Sequence, residues 1–445
     1  MGYGYGRMTY DRNVAGADLP AGARGAASRH GRLAGVLLAA LAALAFGQLV
    51  ALAIERAGDP GYDFRYYWLA GRLWLEGVSP YGPGFREAAG RLIEEGNRPE
   101  IWANPPTYWL PSVLLAAFDL GSAWRLWLAL SLCALVLASA SVAFALSQTS
   151  CPGSARAGAG LGAGPVFCLH LAVMAIMEVT QIALFVGQSS VFVYLGAALL
   201  IAGLARERRA IGVIGLVLLC AKPQVGVLVA LALLLGGGAR TIVLPAIAVS
   251  LLILLPALPS DPLVVLEWLA ALASYDGASY ANQPFAMSGI RHVLWAYSGH
   301  DIGNLAAMIV TLAAGTAIAV RARMQPQVGA RGAAWKGRAL ADLVAVEILI
   351  ALSLAPLHLY DFVVIGVGMT ALAATRGASA LAGIAALALC LRPSDLHIAL
   401  LSGDFVPLFP GTVLATFGAA VMLLAAAVAA RSVPGPGADE ATPRA

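Results

Sequence analysis

Residues 33–54 read LAGVLLAALAALAFGQLVALAI, an apolar run without a single charge that is long enough to cross the roughly 30 Å hydrocarbon core of a bilayer as a helix. Trp124–Leu146 and Ala339–Ala355 are further apolar stretches at or near spanning length. A transmembrane β-barrel would instead show segments of about ten residues with alternating polarity, so a helical membrane protein is predicted. Apolar runs recur to residue 430 with no long polar block between them, and one polytopic domain over 33–431 fits better than a string of soluble ones. The whole chain agrees. Of its 445 residues 60% are hydrophobic and 12% charged, with a mean hydropathy of +0.80, whereas soluble domains carry about 25% charge.

The net charge of +4 does not point to nucleic acid, because the basic residues sit at the ends of apolar runs, where they orient a membrane protein. The five cysteines are odd in number, lie mostly inside apolar runs and have no metal-ligand spacing. Residues 1–32, rich in Gly, Ala and Arg, read as a disordered cytoplasmic tail, as do residues 432–445. Basic clusters at Arg206, Arg208, Arg209 and at Arg321, Arg323, Arg331, Lys336, Arg338 are then cytoplasmic. This parity puts residues 55–104 outside as a large first loop. It predicts about twelve crossings, a helix broken at Lys222–Pro223, and one broken or re-entrant piece among 105–120, 124–146 and 161–187.

Ionisable residues near or within apolar segments are costly, and in membrane proteins they mark functional sites. Under this topology Asp63, Gln188, Lys222, Arg291, His292, His358 and Asp361 all fall at the outer membrane face. Lys222, one of only two lysines, lies in LLCAKPQ, where Pro223 breaks the helix and frees carbonyls beside the ammonium. A lysine snorkelling from a helix end would look the same. Asp63 opens DFRYYWLAGRLWLEG, which reads as an amphipathic helix in the interface that stops at Gly77. Asp63 is there either a helix N-cap or a carboxylate able to take a proton from an alcohol. His358 and Asp361 form either a structural pair or part of a site, and Arg291–His292 either face water or bind substrate. Ser79–Pro80–Tyr81 and Asn104–Pro105–Pro106–Thr107–Tyr108 are proline turns that bracket the loop. Nucleotide-phosphate loops, dinucleotide fingerprints and D-x-D pairs are missing from the sequence, so no cofactor or metal is called for.

In order and spacing these pieces resemble the polyprenyl-phosphate-dependent glycosyltransferases of family 87, which include mycobacterial mannosyl- and arabinosyltransferases of the type C glycosyltransferase fold. The resemblance rests on Asp63–Phe64 with the following aromatics and Pro80–Tyr81, on Pro105–Pro106, Gly187–Gln188, Lys222–Pro223–Gln224 and Asn282–Gln283–Pro284, and on Pro356, His358, Tyr360 and Asp361. It implies an all-α multi-pass enzyme of the plasma membrane and cell envelope, with an extracytoplasmic site and interfacial helices in its first outer loop. A polyprenyl phosphate sugar would be the donor and a lipid or glycan the acceptor, with membrane lipids as surroundings. It also implies Asp63 as catalytic base, and Lys222, Gln188, Arg291, His292, His358, Tyr360, Asp361, Asn104 and Tyr67 are the candidate substrate-binding residues around it. Where the mannosyltransferases carry a Trp–Asp–His–His type run, this chain has His358–Leu359–Tyr360–Asp361–Phe362, so the likeness does not extend to the sugar. A sugar on a single phosphate already has an adequate leaving group, so one base and a cation for the phosphate suffice for inversion. A transporter or flippase of lipid-linked sugar or small solutes is the alternative, because broken helices with polar breaks also build transport sites. A non-catalytic scaffold would follow if Asp63 only capped its helix.

Overall fold

A computed structural model describes residues 21–93, 101–147, 162–259, 261–278, 283–324, 333–372, 378–400 and 412–431. Every regular element among these is a helix. Helix α1 (Ala21–Glu55) begins well before residue 33 and takes in part of the expected tail. Residues 1–20 and 432–445 of the expected tails, and Asn282, lie outside the described residues.

The outer loop folds into a layer of its own. Helices α2 (Tyr62–Leu75) and α3 (Gly84–Leu92) and the short α4 (Trp109–Ala116) precede α5 (Leu120–Leu146). Helix α4 packs on the part of α2 that carries Trp68 and Gly71, and Arg72 beside them donates to the Ala116 carbonyl. A Cβ on Gly71 would lie 2.0 Å from the Ser112 carbonyl oxygen. The core of this layer is aromatic, built from Phe64, Tyr67, Trp68, Trp74, Phe85 and Trp102 together with Tyr108, Trp124 and Trp127.

The bundle continues with α6 (Ala163–Ile176), α7 (Glu178–Val186), α8 (Ser190–Ala205), α9 (Arg209–Leu219), α10 (Pro223–Gly236), α11 (Leu244–Leu254) and α12 (Val264–Ala278). It closes with α13 (Gly289–Ser298), α14 (Gly303–Met324), α15 (Ala333–Leu354), α16 (Gly368–Leu372), α17 (Ala378–Leu391), α18 (Pro393–Leu400) and α19 (Thr412–Arg431). The break at Lys222–Pro223 falls as predicted, between α9 and α10. Of the three candidates before residue 188, the broken one is α6–α7, bent by 64°. Helices α8 and α9 touch through glycines: a Cβ on Gly196 would sit 2.6 Å from the Leu219 nitrogen and one on Gly215 2.4 Å from the Leu200 nitrogen. Close backbone approach of this kind holds helices together where lipid offers no hydrophobic drive.

Four described helices are long and apolar enough to cross a membrane, or five if the bent pair counts as one; seven further apolar helices have 10–17 residues. The twelve predicted crossings are therefore not established. At 1.5 Å per residue these shorter pieces fall below the roughly 30 Å of hydrocarbon.

The bundle has two chemically distinct ends. Arg206 follows α8, and its guanidinium stacks on Phe144 near the end of α5 and donates to the Phe144 carbonyl. Arg323, in the last turn of α14, donates to the Leu235 carbonyl near the end of α10. The start of α15 meets the end of α8, where a Cβ on Gly337 would be 2.4 Å from the Leu204 carbonyl oxygen. The opposite ends of α8, α10 and α15 carry Ser190, Lys222 and the turn leading to His358.

Candidate active site

The site lies where the aromatic layer meets the bundle core, with Phe192 and Ala221 packed against both. Asp63 reaches it from the first turn of α2. The cap position is Gly61, with no side-chain cap bond, so the N-cap reading of Asp63 does not hold. Its carboxylate turns inward and accepts a 3.0 Å hydrogen bond at Oδ2 from the Gln188 amide. The positive end of the helix dipole favours a negative charge at this position.

Two glycines bring Asp63 and Gln188 together. Gly187 ends α7 in the left-handed conformation, φ +76°, and a Cβ there would lie 2.5 Å from the Phe64 Cβ and 2.8 Å from the Trp124 ring. Gly61 answers from the other side, where a Cβ would be 2.6 Å from the Phe185 carbonyl. The start of α2 thus lies directly against the end of α7, and the next residue after the turn is Gln188.

Gln188 is a hub. Its Oε1 accepts from the Tyr67 hydroxyl at 2.9 Å and from the Ser189 backbone N–H at 3.1 Å, and its Nε2 donates to the Tyr360 hydroxyl at 3.1 Å as well as to Asp63. Tyr67 is held by rings on several sides, stacked at 5.2 Å on both Tyr108 and Trp127 and edge-on to Trp102 at 5.6 Å. Such pairs are each worth about 0.5–1.5 kcal/mol beyond burial. The Tyr108 hydroxyl donates to Ser189 Oγ.

Lys222 occupies the N-cap position of α10. It is neither a bare cation nor a snorkelling one, because its ammonium lies 3.2 Å from Asp361 Oδ1 and 5.3 Å from the centre of the Tyr360 ring, with 11% of its side chain exposed. Asp361 also accepts from the Ser190 hydroxyl, and from the His358 backbone N–H at 3.1 Å. His358 and Asp361 together form a capping box on the 3-10 segment Leu359–Val367, so the structural role read for the pair is present. The His358 and Tyr360 rings lie 5.0 Å apart.

Burial pushes the Asp63 carboxyl up to about 6, against the Gln188 hydrogen bond and the Lys222 charge, which pull it down; Asp361 adds to the rise. Asp63 nevertheless keeps part of its surface open. Among the described residues no three His, Cys, Asp or Glu side chains group so as to hold a metal ion.

The structure thus gathers seven of the residues singled out in the sequence: Asp63, Tyr67, Gln188, Lys222, His358, Tyr360 and Asp361. The others are engaged elsewhere. Arg291 and His292 do not face water: they are buried, at 3% and 0% exposure. Arg291 is held by both oxygens of Asp301 at 2.7 Å and by Asn304 Oδ1 at 2.7 Å, and the ring of His292 meets the Pro284 carbonyl at 2.8 Å. The Asn104 carbonyl accepts from the Tyr81 hydroxyl at 2.7 Å. Tyr108, Ser189 and Ser190 belong to the network and were not singled out; the one available signal was a pair of hydroxyls directly after a glycine turn.

In this helical chain with several membrane-length segments, the site joins a carboxylate and a paired ammonium to amide and hydroxyl groups. The family model for glycosyltransferase family 87 matches residues 102–346, more than half of the chain, and the chain belongs to that family. The matched segment includes Asn104, Gln188, Lys222, Arg291 and His292 and leaves out Asp63, Tyr67, His358, Tyr360 and Asp361. No curated protein and no solved structure matches the chain.

Proposed function

We propose that the protein transfers a sugar from a polyprenyl phosphate carrier to a hydroxyl of a lipid or glycan acceptor at the extracytoplasmic face of the plasma membrane, with Asp63 as general base. The observation that carries this reading is the carboxylate of Asp63, open on one side, beside an ammonium at the end of the bundle opposite the basic clusters around Arg206 and Arg323. Basic clusters that directly flank spanning helices favour the cytoplasm, which supports an outer location for the site. The acceptor oxygen bonds to the anomeric carbon as the bond from that carbon to the phosphate oxygen breaks. The hydroxyl proton passes to Asp63, and the carrier leaves as polyprenyl phosphate with inversion at the sugar. Lys222 meets the phosphate charge, beside the neutral hydroxyl of Tyr360, so the step needs no metal.

Asp63→Asn is the deciding variant. It keeps size and packing but removes the base, so transfer from the accepted member of a panel of radiolabelled polyprenyl phosphate sugars should fall at least about 100-fold with donor binding retained. Near-wild-type transfer would overturn the assignment. Because the base works only as a carboxylate and is pushed up to about 6, the rate should fall as pH drops through about 6 and be flat above it. The transport reading draws on the broken helices α6–α7 and α9–α10. It would be favoured if the chain moved lipid-linked sugar between leaflets without forming a glycosylated product.

A further inference from the structure

We propose that Gln188 is a positioning residue, locked in one orientation by Tyr67 and the Ser189 backbone, that grips Asp63 by Oδ2 and leaves Oδ1 to take the acceptor proton. The inference rests on the reading of Asp63 as the base. It gives Gln188 and Tyr67 a different role from the substrate contacts expected of them.

The orientation of the amide follows from chemistry. A backbone N–H can only donate, so the Gln188 atom 3.1 Å from the Ser189 nitrogen must be the oxygen. The Tyr67 hydroxyl donates to the same oxygen at 2.9 Å. The Tyr67 and Tyr108 phenols are both raised by burial above their ordinary range, so they stay protonated and remain able to donate. Tyr108 donates to Ser189 Oγ, which lies 3.1 Å from the Tyr67 hydroxyl. Nε2 is then the only Gln188 atom left for Asp63, and it can only donate.

A donor on one carboxylate oxygen favours the anion and fixes its plane. Oδ2 is engaged in this way, whereas Oδ1 accepts no hydrogen bond among the described residues. A flipped amide would set a carbonyl oxygen against the carboxylate and favour the protonated acid, which is no base. The other charges facing Asp63 are few. Lys222 comes from the start of α10 and Asp361, with His358 beside it, from the segment after α15, while α7 and α5 present Gly187 and Trp124 there. Arg65, on α2 itself, turns back to the Pro60 carbonyl and Asp59. Among the described residues Gln188 is therefore the one neutral side chain that directly sets which oxygen of the base is open.

The test reads Asp63 itself. In the full chain reconstituted in lipid nanodiscs, infrared titration should show a carboxylic acid band, missing in Asp63→Asn, whose midpoint lies near 6 in the wild type. Loss of this charge-assisted hydrogen bond removes a stabiliser of the anion, so Gln188→Leu should move that midpoint up by about one unit or more. Tyr67→Phe, which loosens the lock but keeps the ring packing, should move it in the same direction by less. In transfer assays both variants should lower kcat and carry the acid limb upward with the infrared midpoint, with KM for the donor little changed. A midpoint that stays put in both variants would overturn the positioning role and leave Asp63 as the base. Full transfer by Asp63→Asn would instead overturn the base, and this inference with it.

Discussion

Lys222 shows how a residue chosen for its oddity acquires a more particular meaning from its partner. Its ammonium is paired with Asp361, so a donor phosphate would meet a balanced ion pair with ammonium hydrogens still to offer rather than an isolated charge. If the cation binds the phosphate, Lys222→Gln should weaken donor affinity by about tenfold or more, the scale of one charge-assisted hydrogen bond. Lys222→Arg should restore only part, because the guanidinium is planar and larger. The single variant also strands Asp361, and breaking a buried pair is itself destabilising. The double variant Lys222→Gln with Asp361→Asn separates the effects: donor affinity regained there would mean that Lys222 serves only to neutralise Asp361. Asp63, Gln188, Lys222 and Asp361 were legible in the sequence because charge and amide stand out against apolar neighbours. Tyr108, Ser189 and Ser190 were not, since hydroxyls are unremarkable at turns and helix starts. Arg291 looked open because its partners Asp301 and Asn304 lie in the next turn, and sequence alone does not show that the chain folds back there.

At the scale of elements, the turn between α7 and α8 is where the site is assembled. Gly187→Ala would put a side chain into the left-handed region and into Phe64 and Trp124 at the same time. The first costs about 1–2 kcal/mol and the second forces repacking of similar or greater cost. A loss of about 2–4 kcal/mol should appear as a lower Tm for the detergent-solubilised chain. Transfer should fall more steeply than stability predicts, because the displaced turn carries Gln188. An unchanged Tm would mean that α2 and α7 can slide apart freely. The break at Lys222–Pro223 was readable because proline ends helices locally. The bend at Met177 was not, since 161–187 contains nothing comparable at that point. It is held from a distance: Glu178, at the start of α7, accepts a 2.8 Å hydrogen bond from the Ser394 backbone of α18, and Arg392 donates to Gln181. The local mark is Glu178 alone, the one acidic residue of the run 162–187.

For the whole molecule, the all-helical class was readable from apolar run length alone, while the number of crossings was not. Helix α8 has 16 residues, about 24 Å, and yet it joins the Gln188 turn to the Arg206 cluster. A helix this short falls below the length by which spans are counted from sequence, although it links the two ends of the bundle. The two-ended distribution of charge makes orientation testable without knowing that number. Glu76 is exposed at the end of α2 on the site's side, and Met324 is exposed at the end of α14 beside Arg321 and Arg323. In a chain cleared of its five cysteines, Glu76→Cys should react with a membrane-impermeant maleimide in intact cells, and Met324→Cys only after the membrane is opened. The reverse pattern would put the clusters Arg206–Arg209 and Arg321–Arg323 outside, against the positive-inside bias, and would overturn the proposed orientation and the extracytoplasmic site with it. Labelling of both positions in intact cells would mean that α14 ends on the same side as the site, and α8 and α10, which share that basic end, would have to be redrawn as re-entrant pieces.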